Sequence, residues 1–273
     1  MPTPTINGKK VFINAPLPAN IKAGKQVMVS IKLDSNSVSG KKIIKIPEDS
    51  ATVLLAMAEE AKKFLTENGF PHIAGTDFHI SKTEITESQF DECVNNGYCM
   101  AVEDKWDSGP NYPRIDINNY DVKKYADFFT KKQLLPSLRE HLKSKFPDQV
   151  DIIDGINLDV NLPSEAEWET ATRHADPSKG NVNSGKMTES CASDDFSSDG
   201  VCDLVGNLAE WVGEVNRDRP LSPSETALVK GSDYSGSNNY PFDIDRGFNL
   251  SVTFGYYEVG GRVRVRVLNL LNQ

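Results

Sequence analysis

Two short stretches constrain this chain more than anything else in it: Leu162-Pro163-Ser164-Glu165-Ala166-Glu167-Trp168-Glu169, and further on Asp203-Leu204-Val205-Gly206-Asn207-Leu208-Ala209-Glu210-Trp211. Composition alone would not produce either. In the first, Ser164 followed three residues later by Glu167 is a capping box, each side chain placed to satisfy the other's backbone N–H, so a helix is expected over Glu165 to Arg173. Trp168 and the pair Ala171-Thr172 then share related faces of it.

The 273 residues can bury a real core, as one large domain or one domain with a small addition. With 38% hydrophobic and 25% charged residues the composition is that of a globular protein. No apolar run approaches the ~20 residues that a membrane span needs, so no span is expected. Met1-Pro2-Thr3-Pro4-Thr5 lacks the basic start and apolar run of a secretory signal. A net charge of -9 and a pI near 5.1 argue against binding nucleic acid through a broad basic surface. Cys93/Cys99 and Cys191/Cys202 are two local pairs, compatible with two short disulfides or with reduced buried thiols. Neither has C-x-x-C spacing, and His72, His79, His141 and His174 are scattered, which disfavours zinc.

The chain begins with strand patterns. Lys10 to Ile13, Gln26 to Leu33 and Lys42 to Ile46 predict a small antiparallel extension, Val27, Val29, Ile31 and Leu33 alternating with mostly polar neighbours. Val53, Leu54, Met57, Ala58, Ala61, Phe64 and Leu65 then line one face of a helix, with Ser50 placed to cap its start and Asn68-Gly69 to end it. Phe78 to Ile85 alternates as a strand, and Thr86-Glu87-Ser88-Gln89 is a second capping box. Trp106 to Pro113 reads as loop, Tyr120 to Phe129 and Leu134 to Lys145 as helices. Residues 174 to 200 are mostly Ser, Asp, Gly, Asn and Lys, and long loops of this kind commonly carry ions or ligands. Leu228 to Lys230 and Gly261 to Leu268 predict strands, the latter alternating apolar and basic faces.

In this order the motifs resemble the formylglycine-generating enzyme family, also called the sulfatase-modifying-factor family. Ile80 to Thr86, the Leu162 to Arg173 helix, the Gly-Asn-x-x-Glu-Trp turn at Asp203 to Trp211, Val229-Lys230-Gly231-Ser232 and the closing Val259-Gly260-Gly261-Arg262-Val263 carry the resemblance, over residues 75 to 273. It implies an α+β chain with the C-type lectin fold of that family, rich in irregular loops, occupying 71–273. The N-terminal β strands and helix fill 1–70.

One departure bears on activity. Members that oxidise a sulfatase cysteine carry two closely spaced cysteines between the last two motifs, since copper and oxygen chemistry needs soft thiolates. Ser232 to Gly260 contains none, so copper is not expected. No nucleophile elbow, P-loop or dinucleotide fingerprint replaces them. The expectation is a protein that is not an enzyme; the alternative is a formylglycine-generating-type oxidase or related sulfatase-modifying enzyme.

Binding is the reading that remains. Between the closing motifs, residues 233–257 interleave aromatic rings with Asn, Ser, Asp and Gly. Rigid rings supply contact area there, and small polar groups supply adaptable hydrogen bonds. Asp233, Tyr234, Ser235, Asn238, Asn239, Tyr240, Phe242, Asp245, Phe248, Asn249, Ser251, Phe254, Tyr256 and Tyr257 are the candidate ligand-binding residues. A C-terminal variable segment on such a scaffold resembles the variable proteins of diversity-generating retroelements. That implies receptor recognition, a protein or cell-surface ligand, and display on a virion, phage or cell. The family also implies a structural calcium at the Gly-Asn-x-x-Glu-Trp turn, with the Glu210 carboxylate and the carbonyls of Val205, Gly206 and Leu208 as ligands. It places a cysteine pair where Cys93 and Cys99 stand, and Cys191 with Cys202 makes a second candidate bond.

Overall fold

The computed structural model describes residues 48–102, 108–213, 224–236 and 247–269, with the backbone of short strands at 5–6, 9–10, 26–31 and 40–45. Two compact units divide the chain: one of 1–64, 135–158 and 267–273, the other of 65–134 and 159–266. Helices and mostly antiparallel strands alternate irregularly in an α+β arrangement, as the motifs predict, with Val259 and Gly260 paired parallel to Ala209 and Glu210.

In the first unit, β1 (Thr5–Ile6) pairs with β2 (Lys9–Lys10), and β3 (Gln26–Ile31) with β4 (Gly40–Lys45), both antiparallel, with Val27 opposite Ile44. This is the expected hairpin between the second and third strand runs. Helix α1 (Glu48–Glu67) begins ahead of Ser50, which therefore lies inside the helix instead of capping it. Its Met57, Ala58, Ala61 and Leu65 are buried, the apolar stripe that the spacing specifies. Gly69 ends the turn after it with φ +86, a left-handed conformation that glycine adopts without a Cβ penalty. Among later residues of this unit, His141 Nε2 meets Glu60 Oε1 at 2.8 Å with its ring 4.9 Å from that of Phe64. Arg139 donates from Nε (3.2 Å) and Nη2 (2.6 Å) to the Ile156 carbonyl.

The second unit opens with β5 (His79–Ile80), much shorter than the alternating run predicts because the chain turns into the capped helix α2 (Glu87–Asn95). Both halves of the Thr86–Gln89 box are formed. Helix α3 (Asn119–Phe129) has a box of its own, from Asn118 and Asp121, and is followed by a π turn (Thr130–Leu134); α4 (Leu135–Lys145), next in the chain, belongs to the first unit. The short helix α5 (Val150–Asp154) belongs to the first unit as well; strand β6 (Asn157–Asn161) then leads to α6 (Glu165–Thr172), opened by the Ser164–Glu167 box. The loop expected over 174–200 has no helix or strand.

Strands β7 (Ala209–Val212), β8 (Thr226–Lys230), β9 (Gly247–Ser251) and β10 (Val259–Gly260) form one sheet in the order β10-β7-β8-β9, and β11 (Arg264–Leu268) lies between β5 and β6 in another. The alternation over Gly261 to Leu268 predicts one apolar and one basic face. Val263 and Val265 are buried as predicted, but Arg262 and Arg264 are buried too. Carboxylates make this tolerable: Arg264 Nη1 reaches Asp159 Oδ2 at 2.5 Å, and Arg266 Nη2 reaches Glu167 Oε1 at 2.6 Å. Lys230, with no exposed side-chain surface, is held by Glu169 (2.7 Å) and Glu165 (3.2 Å) of α6.

Candidate functional site

The two opening motifs converge on one carboxylate. Trp168, in α6, donates its indole N–H to Glu210 Oε2 at 2.8 Å. Arg262 Nε lies 2.8 and 2.7 Å from the two Glu210 oxygens, and its Nη2 lies 2.5 Å from Oε1. The same guanidinium donates to the carbonyls of Ser81 (3.0 Å) and Cys202 (2.9 Å), tying three distant segments together. Gly206 is required by close approach: a Cβ there would lie 2.8 Å from the backbone N, C and O of Asn181.

Three more carboxyls surround this node. Glu84 is fully buried, and Asn207 Nδ2 donates to its Oε1 at 3.3 Å. Burial holds its carboxyl well above the ordinary range, neighbouring Asp203 pushes the same way, and Arg262 acts against both. Burial likewise raises Asp195, against the N–H that Val205 donates at 2.8 Å. Asp203 is raised by burial despite accepting from Ser193 Oγ and Cys191 N, both at 2.5 Å.

The expected calcium set can be tested on this geometry. A calcium ion takes oxygens with open lone pairs. Both Glu210 oxygens are occupied by Arg262 and one also by Trp168, and the Val205 carbonyl accepts from Ser232 N at 3.0 Å. With a guanidinium against its one carboxylate, the set Val205, Gly206, Leu208 and Glu210 does not fit calcium. No cluster of three or more His, Cys, Asp or Glu suited to a metal occurs among the described residues. The four cysteines form Cys93–Cys99 and Cys191–Cys202, with Cα atoms 5.3 and 5.2 Å apart.

The candidate ligand residues separate by burial. Asp233 is buried, and its Oδ1 accepts from Ser235 N (2.8 Å), Ser235 Oγ (2.6 Å) and Gly236 N (3.1 Å), so it shapes the turn instead of facing solvent. Ser235 itself is exposed. Asn249 is exposed on β9, where Phe248 and Ser251 are half-buried. Phe254 and Tyr257 are 59% and 41% exposed on the loop after β9, while Tyr256 is half-buried with its ring 6.1 Å from that of Trp211. Asn238, Asn239, Tyr240, Phe242 and Asp245 lie outside the described residues.

Tyr234 has a further neighbourhood that the sequence did not reveal. It lines a cavity of about 450 Å³ with Tyr112, Ile115, Lys186, Met187 and Ser108. Ile115 and Met187 form its buried floor in one apolar cluster with Leu208, and Tyr112 and Tyr234 pack against that cluster. Lys186 and Met187 come from the irregular 174–200 loop, whose length was the one signal that could have pointed to them; Tyr112 carried none.

A model of the FGE-sulfatase family, the sulfatase-modifying factor enzyme 1-like domain, matches residues 54–263. No curated protein sequence matches the chain. Among solved structures it is similar to PvdO from Pseudomonas aeruginosa, at 17% identity and TM-score 0.50 over 69% of this chain and 80% of that one. It is also similar to CarF (19% identity, TM-score 0.45, 69% and 86%) and to Treponema denticola variable protein 1 (16%, 0.43, 72% and 91%). Since the family model spans well over half of its length, from the apolar face of α1 to the valine that follows Arg262, this chain belongs to the FGE-sulfatase family.

Proposed function

We propose that the chain is a non-catalytic recognition protein that uses the family scaffold to display residues 233–257 to a protein or cell-surface ligand, in the manner of diversified retroelement variable proteins. The exposure of Phe254 and Tyr257 carries this reading. Large rings at the surface of an otherwise anchored loop form a contact patch. The anchoring is specific: Asp116 N donates to the Tyr256 carbonyl at 3.1 Å. The cysteines add support, because all four are in disulfides and none lies between Ser232 and Gly260, leaving no thiolate pair for copper.

Family membership favours a second reading, a sulfatase-modifying oxidase. One experiment separates the two. The purified chain is screened against arrays of glycans and surface proteins beside its Phe254→Ser/Tyr257→Ser variant, and separately incubated with copper, oxygen and a cysteine-containing sulfatase peptide. Recognition predicts an array ligand that the variant loses and an unchanged peptide. Formylglycine in the peptide would overturn it. Diversification has its own test in the genomic locus, where the lack of a template repeat and reverse transcriptase would sink that part.

A further inference from the structure

We infer that the cavity beside Tyr234 takes an apolar carboxylate, an aromatic or branched aliphatic body with one carboxylate close to it. The inference rests on the recognition reading and names the ligand chemistry of one part of that surface. Size and floor come first. About 450 Å³ falls within the range of small-molecule sites, and Ile115 and Met187, 3% and 7% exposed, give it an apolar base. Tyr112 and Tyr234 stand against that base as half-buried walls. Flat rings beside aliphatic side chains favour an aromatic or branched guest over a hydrated sugar.

Charge completes the argument. Among the described residues Lys186 is the one charged residue of the lining, and its ammonium has neither a hydrogen bond nor an ion pair with any of them. The backbone beneath it is pinned. Lys186 N donates to Ser184 Oγ at 3.2 Å, its carbonyl accepts from Asn181 Nδ2 at 3.0 Å, and Gly185 N donates to the Tyr234 carbonyl at 2.8 Å. An ammonium with no partner among the described residues, on a fixed base beside an apolar pocket, selects an anion. Burial raises the Tyr234 phenol, and Glu258 and Asp233 add to that, so its hydroxyl stays neutral and the same two carboxylates disfavour an anion beside the ring.

Two sources share this chemistry: a free arylalkanoic acid and the C-terminal residue of a peptide chain. Calorimetric titration with 3-phenylpropionate, its amide, and a short peptide ending in Phe as acid or amide tests it. Each acid should bind about tenfold tighter than its amide, and the tighter acid names the source. Lys186→Gln should abolish the acid preference, and Tyr234→Ala should weaken acid and amide together. Lys186 is exposed, so its variant should keep the parent melting temperature. Equal binding of acid and amide, or an acid preference that survives Lys186→Gln, overturns the proposal. No acid binding, with array ligands still lost in Phe254→Ser/Tyr257→Ser, overturns this ligand class and leaves recognition standing. Acid binding in a chain that converts the cysteine peptide does the reverse.

Discussion

The indole N–H of Trp168 donates to Glu210 Oε2 at 2.8 Å, so the two most specific motifs of the sequence are bonded to each other in the core. With Arg262 on the same carboxylate, Glu210 is one half of a fully buried ion pair, 1% and 0% exposed. Removing one partner of such a pair leaves the other charge without compensation. Glu210→Gln should keep the Trp168 bond yet lose about 3–5 kcal/mol in urea unfolding. Adding Arg262→Met should restore part of it.

Glu84 makes stability depend on pH. Its folded value lies well above the ordinary 4.5, raised first by burial and then by Asp203. The sign follows: folding favours the neutral carboxyl, so its contribution is complete below about pH 4.5 and is lost as pH rises from there through the folded value. Glu84→Gln should remove this decline. Urea midpoints at about pH 5 and pH 8 should fall in the parent and fall less in the variant.

Chelation should leave the chain unaffected if the Glu210 set holds no calcium. Melting curves with and without EDTA are expected to superimpose, and elemental analysis to find no stoichiometric ion. A drop in melting temperature on chelation would show that the carboxylate opens to a cation despite Arg262.

The Cys191–Cys202 bond closes a loop of 11 residues behind the segment that supplies Lys186 and Met187. Cross-linking of that length removes unfolded-state entropy worth roughly 2–3 kcal/mol. Cys191→Ser/Cys202→Ser should lose about that much in chemical denaturation, and mass spectrometry with and without reduction should count both bonds in the parent.

Gly206→Ala should unfold the motif locally. The added methyl would sit 2.8 Å from three backbone atoms of Asn181, and backbone gives way less readily than a flexible side chain. A loss of about 2–3 kcal/mol is expected from such overpacking, read as a shift in denaturation midpoint.

Much of the fold was legible because its signals are local. Thr86–Gln89 and Ser164–Glu167 each specify a helix start within four residues, and both boxes form. The apolar stripe of α1 is equally self-contained. Elements set by tertiary partners were not legible. Strand β7 reads as a turn motif because all four of its residues are buried, so it has no alternation to detect. The burial of Arg262 and Arg264 is not legible until Asp159, Glu167 and Glu210 are brought to them from far along the chain. The cavity is the extreme case: Tyr112, Lys186 and Tyr234 meet only through loops, and nothing in their spacing marks them as neighbours.

Strand β9 pairs with β8 from Thr226 opposite Ser251 to Lys230 opposite Gly247, through ladder bonds made by main-chain groups. Those bonds do not depend on the side chains at 248–251, whereas Gly247 is held to glycine because a Cβ there would lie 2.9 Å from the Val229 carbonyl oxygen. Exposed Asn249 can therefore change its side chain while the register stays put. Such a strand separates the alphabet from the page: the letter at Asn249 can change, and the ladder that carries it stays the same.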